Sequence, residues 1–249
     1  MRGLFLILAA FVLMGQRDAL LVPEVSQHDV KVRQGFTGTE LLLFGAVLDP
    51  RGQAGQGYDI VVVLKGPSEP VRLREKERFA GVWVNAESND FRSVPSFFAV
   101  ASSRPIDQIV DEKTAAIYEF GTGYIQLSPS GTIDPEQQQR FALGLVDLKE
   151  RQGLYKEDMT GVSITEDVLY QARIDLPSNV TTGTYTAETF AVTQGRVIAS
   201  AESQVEVRKV GLEREVEYAS QNYGLLYGAI AVMLSVLMGW GAGRLFARL

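Results

Sequence analysis

The side chains that could do chemistry are few in this sequence, and their spacing serves it poorly. His28 is the only imidazole and there is no cysteine. A nucleophile would therefore lack a His or thiolate constellation, and neither a thiolate zinc site nor a poly-His centre can be assembled. The adjacent carboxylates Asp111-Glu112, Glu157-Asp158 and Glu166-Asp167 are the remaining acid/base candidates. Neighbouring side chains diverge on a helix and point to opposite faces of a strand, so none of these pairs is a natural dyad. The glycine clusters Gly52 to Gly57 and Gly121-Thr122-Gly123 lack the strand–loop–helix context and the Lys-Ser/Thr of a phosphate loop, and no acidic loop has calcium-hand spacing. The expectation is a protein that is not an enzyme, with no catalytic residue, no cofactor and no metal.

Two constellations stand above that background. The charged run around Arg72, Arg74 and Lys76 directly precedes the apolar Phe79-Ala80-Gly81-Val82-Trp83. Strand alternation puts the three cations on one face, where they could hold a small oxyanion or an acidic partner, or simply form a solvated edge that deters aggregation. The second constellation is a row of small residues, Ala231, Ser235, Gly239 and Gly243, spaced four apart in an apolar segment, where another membrane helix could approach closely. Gly224 and Gly228 supply a further small pair. Phe91, Phe97 and Phe98 with Trp83 read as core.

The ends of the chain set its compartment. Arg2 followed by an uncharged apolar run from Gly3 to Gly15 is too short to span a bilayer as a helix and reads as a signal peptide over residues 1–19. Neither Gly15 nor Ala19 ends a small-x-small site, which leaves an uncleaved anchor open. No charge occurs from Ala219 to Gly243, so residues 223–243 are expected to form a transmembrane helix. Glu213, Glu215 and Glu217 precede it within a juxtamembrane segment, 211–222, and Arg244 and Arg248 follow it. Positive charge stays inside, so the tail 244–249 is expected in the cytoplasm and the main domain in the periplasm, anchored once in the inner membrane. Net charge is −6, from 24 Lys+Arg against 30 Asp+Glu. Nucleic acid is a poor partner for such a chain.

Between those ends lie 20–210, which read mainly as β. Asp29 to Arg33, Glu40 to Leu48, Ile60 to Leu64, Val71 to Arg74, Gly81 to Asn85 and Phe97 to Ala101 are strand patterns separated by turn residues such as Asp49 to Gly52. From about 104 to 153 the period becomes helical. Ile106, Val110, Ile117 and Phe120 mark one helix, and Asp134, Pro135 and Gln137 start a second that carries Phe141, Leu145 and Leu148 to Gly153. Strands return at Val168 to Leu176, Gly183 to Val192, Arg196 to Ala201 and Gln204 to Val210. The fold class expected is an immunoglobulin-like antiparallel β-sandwich with an inserted helical pair and one C-terminal transmembrane helix. A generic antiparallel meander fits the strand pattern equally well.

Six stretches carry a resemblance: FTGTELLLFGAV (Phe36 to Val47), VVVLKGP (Val61 to Pro67), REKERFAGVWVN (Arg74 to Asn85), VPSFFAVASSRP (Val94 to Pro105), GLYKED (Gly153 to Asp158) and ARIDLPSNVTTGTY (Ala172 to Tyr185). In this order they resemble the alphaproteobacterial family of single-pass transmembrane proteins of unknown function, from about Val25 to the C-terminus. The resemblance implies no site residue. It does imply a neighbouring sulfite-exporter-type permease as a partner. The function expected is that of a membrane-anchored exported interaction or accessory protein, associating with a membrane protein or with itself through the helix. The alternative is an exported module binding a small anion or other ligand, for which a deep pocket lined by Arg72, Arg74 or Lys76 would speak. A flat exposed apolar patch would speak for interaction.

Overall fold

The computed structural model describes residues 19–32, 37–48, 57–131, 134–210, 218 and 220–246. The proposed signal segment up to residue 18, the turn at Asp49 to Gly52, most of 211–222 and the tail beyond Phe246 lie outside them. By contacts the chain divides into two units, one of residues up to 30 with 37–207, the other of 31–36 with 208–249. In chain order the first strands are β1 (Leu20–Val25), β2 (Asp29–Val32), β3 (Gly38–Leu48), β4 (Asp59–Lys65), β5 (Ser68–Phe79), β6 (Val82–Pro95) and β7 (Phe98–Ser102). Helices α1 (Ile106–Ile109) and α2 (Glu112–Tyr118), a 3-10 turn at Thr122–Tyr124, β8 (Ser128–Pro129) and α3 (Pro135–Arg151) follow. The rest is β9 (Tyr155–Asp158), β10 (Val162–Thr165), β11 (Leu169–Pro177), β12 (Gly183–Thr193), β13 (Arg196–Lys209) and helix α4 (Gly224–Phe246).

Two sheets form an immunoglobulin-like sandwich, one ordered β1-β3-β11-β10 and the other β2-β13-β12-β4-β7-β9. The first follows the four-stranded sheet of an immunoglobulin domain. In the second, β13, β12 and β4 follow its three-stranded partner, with β7 as the extra strand of variable-type domains. Tyr185 donates its phenol to the Thr181 carbonyl at 2.8 Å, the tyrosine corner of such sandwiches. One pairing departs from the antiparallel expectation: β9 runs parallel to β7. Parallel neighbours require a long crossover, and the helical insertion between β7 and β9 is that crossover.

This crossover explains why Ile60 to Leu64 is apolar at every position instead of alternating. One face of β4 looks into the sandwich, whereas the insertion covers the outer face of its sheet, so all five side chains are fully buried. The cover is aromatic: Phe120 packs edge-on against Phe190 of β12 at 5.1 Å between ring centroids, and Tyr118 stacks on Phe120 at 5.6 Å. In the other sheet, Gly45 is required because a Cβ there would collide with the Val22 carbonyl.

Several strand patterns sit elsewhere than expected. Val71 to Arg74 and Gly81 to Asn85 are not sandwich strands; they belong to the long hairpin β5–β6, which with β8 makes a separate three-stranded sheet. Its base packs on α3 through Phe91, Val94, Phe141 and Leu145, with Val71, Leu73 and Leu127 partly buried against them. Trp83, expected in the core with Phe91, Phe97 and Phe98, is instead exposed at the hairpin tip, while the three phenylalanines are buried. Arg196 to Ala201 and Gln204 to Val210 are one continuous strand to Lys209. Strands β1, β8, β9 and β10 were not anticipated: β8, β9 and β10 are at most four residues long, and β1 carries a proline, Pro23, in mid-strand.

The first expected helix is broken. Val110 is extended (φ −139°), and the Asp111 carboxylate accepts the Thr114 N–H at 3.0 Å, so a strong N-cap starts a new helix in mid-pattern. Ile117, assigned to its apolar face, is 59% exposed. The second helix follows its signals closely. Asp134 accepts from the Glu136 and Gln137 amides, and Pro135 occupies the first turn. At its other end Gly153 (φ +69°) donates to the Glu150 carbonyl and Leu154 to that of Lys149, a Schellman cap. Gln137 does not close a capping box; its amide donates to Glu87 of the hairpin at 2.8 Å. Leu148 is largely exposed.

Candidate functional site

Hairpin β5–β6 gathers both the cations and the aromatic singled out in the sequence. Arg72, Arg74 and Lys76 do lie on one face of β5, since the irregularity between Glu75 and Lys76 places its extra residue, Ala86, on β6. Their surroundings differ. Arg72 is closed into a two-pronged pair with Asp90 directly across the ladder, at 2.5 and 2.7 Å. That guanidinium holds the Asp90 carboxyl below the usual carboxylate range. Arg74 and Lys76 form no ion pair among the described residues. On the opposite face the paired Glu75 and Glu87 both reach Arg140 of α3, at 3.2 and 2.6 Å, and Lys149 of α3 meets Glu69 at 3.2 Å. These bridges and the apolar cluster pin the base of the hairpin. A groove of about 370 Å³ between hairpin and helix is bordered by Arg74 but not by Arg72 or Lys76.

Beyond Lys76 nothing covers the ribbon. Phe79 is 74% exposed, Val82 65%, Trp83 66% and Val84 42%. The turn joining the strands has two residues, Ala80 at φ +48° and Gly81 at φ +84°, both in the left-handed region. Cross-strand pairing continues to the end, with Arg78 opposite Trp83 and Phe79 opposite Val82.

The helical insertion offers a concavity of about 610 Å³ lined by Ile106, Val110, Phe120, Tyr124, Asp111 and Glu157, among others, with no cation in its wall. At its margin the Thr122 hydroxyl lies 2.8 Å from both Glu150 and Glu157. Elsewhere Lys65 bridges Glu119 at 2.8 Å and Glu188 at 3.2 Å. Burial works against the ammonium, but the two carboxylates outweigh it and raise its pKa, so it stays charged. Burial pushes the Tyr155 phenol up and that of Tyr185 up to about 12, and the two hydroxyls donate to the Pro95 and Thr181 carbonyls. Among the described residues no group of three or more His, Asp or Glu is placed to hold a metal ion. His28 pairs with Glu24 at 3.2 Å on the surface, far in character from a catalytic imidazole.

In the second unit, Gly224–Arg244 is 21 residues long with a mean hydropathy of 1.8. At about 1.5 Å per residue that length matches a hydrocarbon core of about 30 Å. Ala231, Ser235, Gly239 and Gly243 line one side of the helix. The Ser235 hydroxyl donates to the Ala231 carbonyl at 2.9 Å, which satisfies it within the helix and keeps the stripe smooth. Arg244 lies over the Trp240 ring at 5.7 Å.

The sequence pointed to the cationic row but assigned its aromatic neighbour to the core. The missed signal was local: Trp83 follows a Gly-containing turn that comes just after the charged run ending at Arg78. A family model described as "Putative transmembrane protein" matches residues 20–248. No curated protein matches the chain. Among solved structures the chain is similar to AggA, the major subunit of aggregative adherence fimbriae type I from Escherichia coli. That likeness has 9% identity over 78% of this chain and 96% of that one, with a TM-score of 0.26.

Proposed function

The chain belongs to the alphaproteobacterial family of putative transmembrane proteins, and from that premise we propose that it is an exported, membrane-anchored accessory protein that works by interaction and not by catalysis. The observation that carries this reading is the bare apolar tip of the β5–β6 hairpin, Phe79, Val82, Trp83 and Val84. Monomeric domains rarely leave contiguous aromatic surface uncovered unless something is meant to meet it. The ligand-binding alternative draws less support, because the Arg72 fork is already filled by Asp90 and the insertion's concavity is lined with carboxylates.

The charge asymmetry about α4 supports an inner-membrane protein with its sandwich in the periplasm, behind a signal segment at residues 1–19. The small stripe on α4 supports a helix partner, either a second copy or a permease of the sulfite-exporter type. Purification in membranes, followed by identification of the co-purifying proteins, tests this reading. Phe79→Ser with Trp83→Ser should lose partners held by the sandwich, and Gly239→Ile should lose those held by the helix, while Leu237→Ile should lose none. Identical partner sets for all variants would overturn the reading. A reporter active only outside the cytoplasm should work after Val210 and fail after Leu249; the reverse would overturn the orientation.

A further inference from the structure

The hairpin tip has a chemistry that selects among partners. We propose that Phe79–Val84 docks into the headgroup layer of a lipid bilayer, with Phe79 and Trp83 as the inserted side chains and Arg74, Lys76 and Arg78 at the level of the lipid phosphates. The proposal rests on the hairpin being an interaction element, and it names what that element meets.

Lipid fits better than a protein groove because apolar side chains leave both faces of the ribbon. Paired residues share a face, so Phe79 and Val82 point one way and Trp83, opposite Arg78, points the other. A groove would cover one face, whereas an acyl–headgroup boundary surrounds both. Pairing runs to the turn and satisfies the inward main-chain groups, while those on the ribbon's two open edges stay hydrated at headgroup depth. From the turn back to the Arg78–Trp83 pair is two residues on each strand, about 7 Å at strand rise, within the depth to which interfacial elements sink. Trp beside Arg is the pairing that favours this depth, the ring at headgroup level and the cation on phosphate.

Charge is arranged to the same end. Arg140 of α3 meets both Glu75 and Glu87, one positive charge against two negative, and Arg72 answers Asp90, so the acids near the hairpin's base are partly compensated. Arg74, Lys76 and Arg78 keep their charge on the Trp83 face, against Glu77 alone on the other. The turn departs from ordinary hairpin chemistry as well. Ala80 occupies a left-handed position where Asn, Asp or Gly would be easier, and thereby keeps the tip free of any polar side chain. A bilayer is also always at hand. Helix α4 of the same chain is long and apolar enough to span that bilayer.

The test uses the full chain in vesicles of phosphatidylcholine and phosphatidylglycerol. The protein has two tryptophans, Trp83 and Trp240, so Trp240→Phe leaves Trp83 as the sole reporter. In vesicles its emission should shift to the blue, brominated acyl chains should quench it and acrylamide should reach it poorly. Adding Val82→Asp should abolish the bromolipid quenching, and removing phosphatidylglycerol should weaken it. Trp83 emission typical of water, quenched by acrylamide and indifferent to bromolipid, would overturn the inference. If tip substitutions then still altered the co-purifying proteins, the interaction reading would stand without lipid. If they altered nothing, both would fall.

Discussion

Strand β4 and the tip of the β5–β6 hairpin are written in nearly the same alphabet, yet they meet opposite fates. Ile60 to Leu64 has no exposed side chain, whereas Phe79, Val82 and Trp83 are mostly in solvent. Both stretches are rich in β-branched or aromatic residues and both are strand, apart from the two-residue turn of the hairpin. What separates them is company. β4 is flanked by β12 and β7, faces a second sheet and is roofed by the crossover insertion. The hairpin's base is held by α3, but the helix stops supporting it beyond the Arg140 bridge, and the ribbon continues alone. Strand composition alone therefore says that a segment is β; it does not say that the segment is core.

The largest test of this contrast is a pair of truncations. Phe98→Ala, in the buried strand beside β4, should lower unfolding stability by about 3–5 kcal/mol through lost burial and a cavity. Trp83→Ala should stay within about 0.5 kcal/mol, as surface changes do. Denaturant unfolding of the two variants reads the difference, and equal losses would remove the distinction between the regions. Next in size is Leu145→Ala, which empties the small cluster under the hairpin base. It should cost about 2–3 kcal/mol and expose the hairpin to protease before the sandwich. If the sandwich and hairpin are cleaved together, α3 is not what holds the hairpin apart.

Smaller effects sharpen the same boundary. Asp134→Ala removes the N-cap of α3 and should cost about 1 kcal/mol. Because α3 carries the bridges to Glu75 and Glu87, exchange of the β5–β6 amides should quicken more than that of β4. The smallest expected change is in the acid limb. Asp59, in β4, is penalised by burial, but Arg104 and Ser103 hydrogen-bond its carboxylate and hold its pKa below the usual 3.8. A depressed folded pKa contributes stability that is present above 3.8 and is lost as pH falls through the folded value. Arg104→Ala should therefore lower stability at pH 7 and leave it unchanged near pH 2, where the carboxyl is protonated in both proteins, so that the acid limb flattens, which urea titrations from pH 2 to 7 would show. An unmoved acid limb would mean that the pair is idle.

Much of the architecture was legible before any coordinates. The N-cap at Asp134, the glycine that ends α3 and the apolar span of α4 are local signals, and each acts within a few residues of where it is written. The break at Val110 was hidden because Ile106, Val110 and Ile117 keep helical spacing across it, and a capping carboxylate overrides spacing. The candidate site was half legible. Arg72, Arg74 and Lys76 share a face as alternation requires, but nothing near Arg72 announced that Asp90, eighteen residues on, would occupy its fork.

By itself, then, the sequence determined most of the longer strands, where α3 begins and ends, and that the last helix is apolar enough to span a bilayer. These follow from backbone preference, capping chemistry and hydropathy, which are properties of short stretches of chain. Only the tertiary structure decided that β9 joins β7 in parallel, that the insertion roofs β4, and that Trp83 is left outside while Phe97 and Phe98 are sealed in. Burial is a relation between a side chain and the elements that cover it, and those elements come from distant parts of the chain whose meeting no local pattern records.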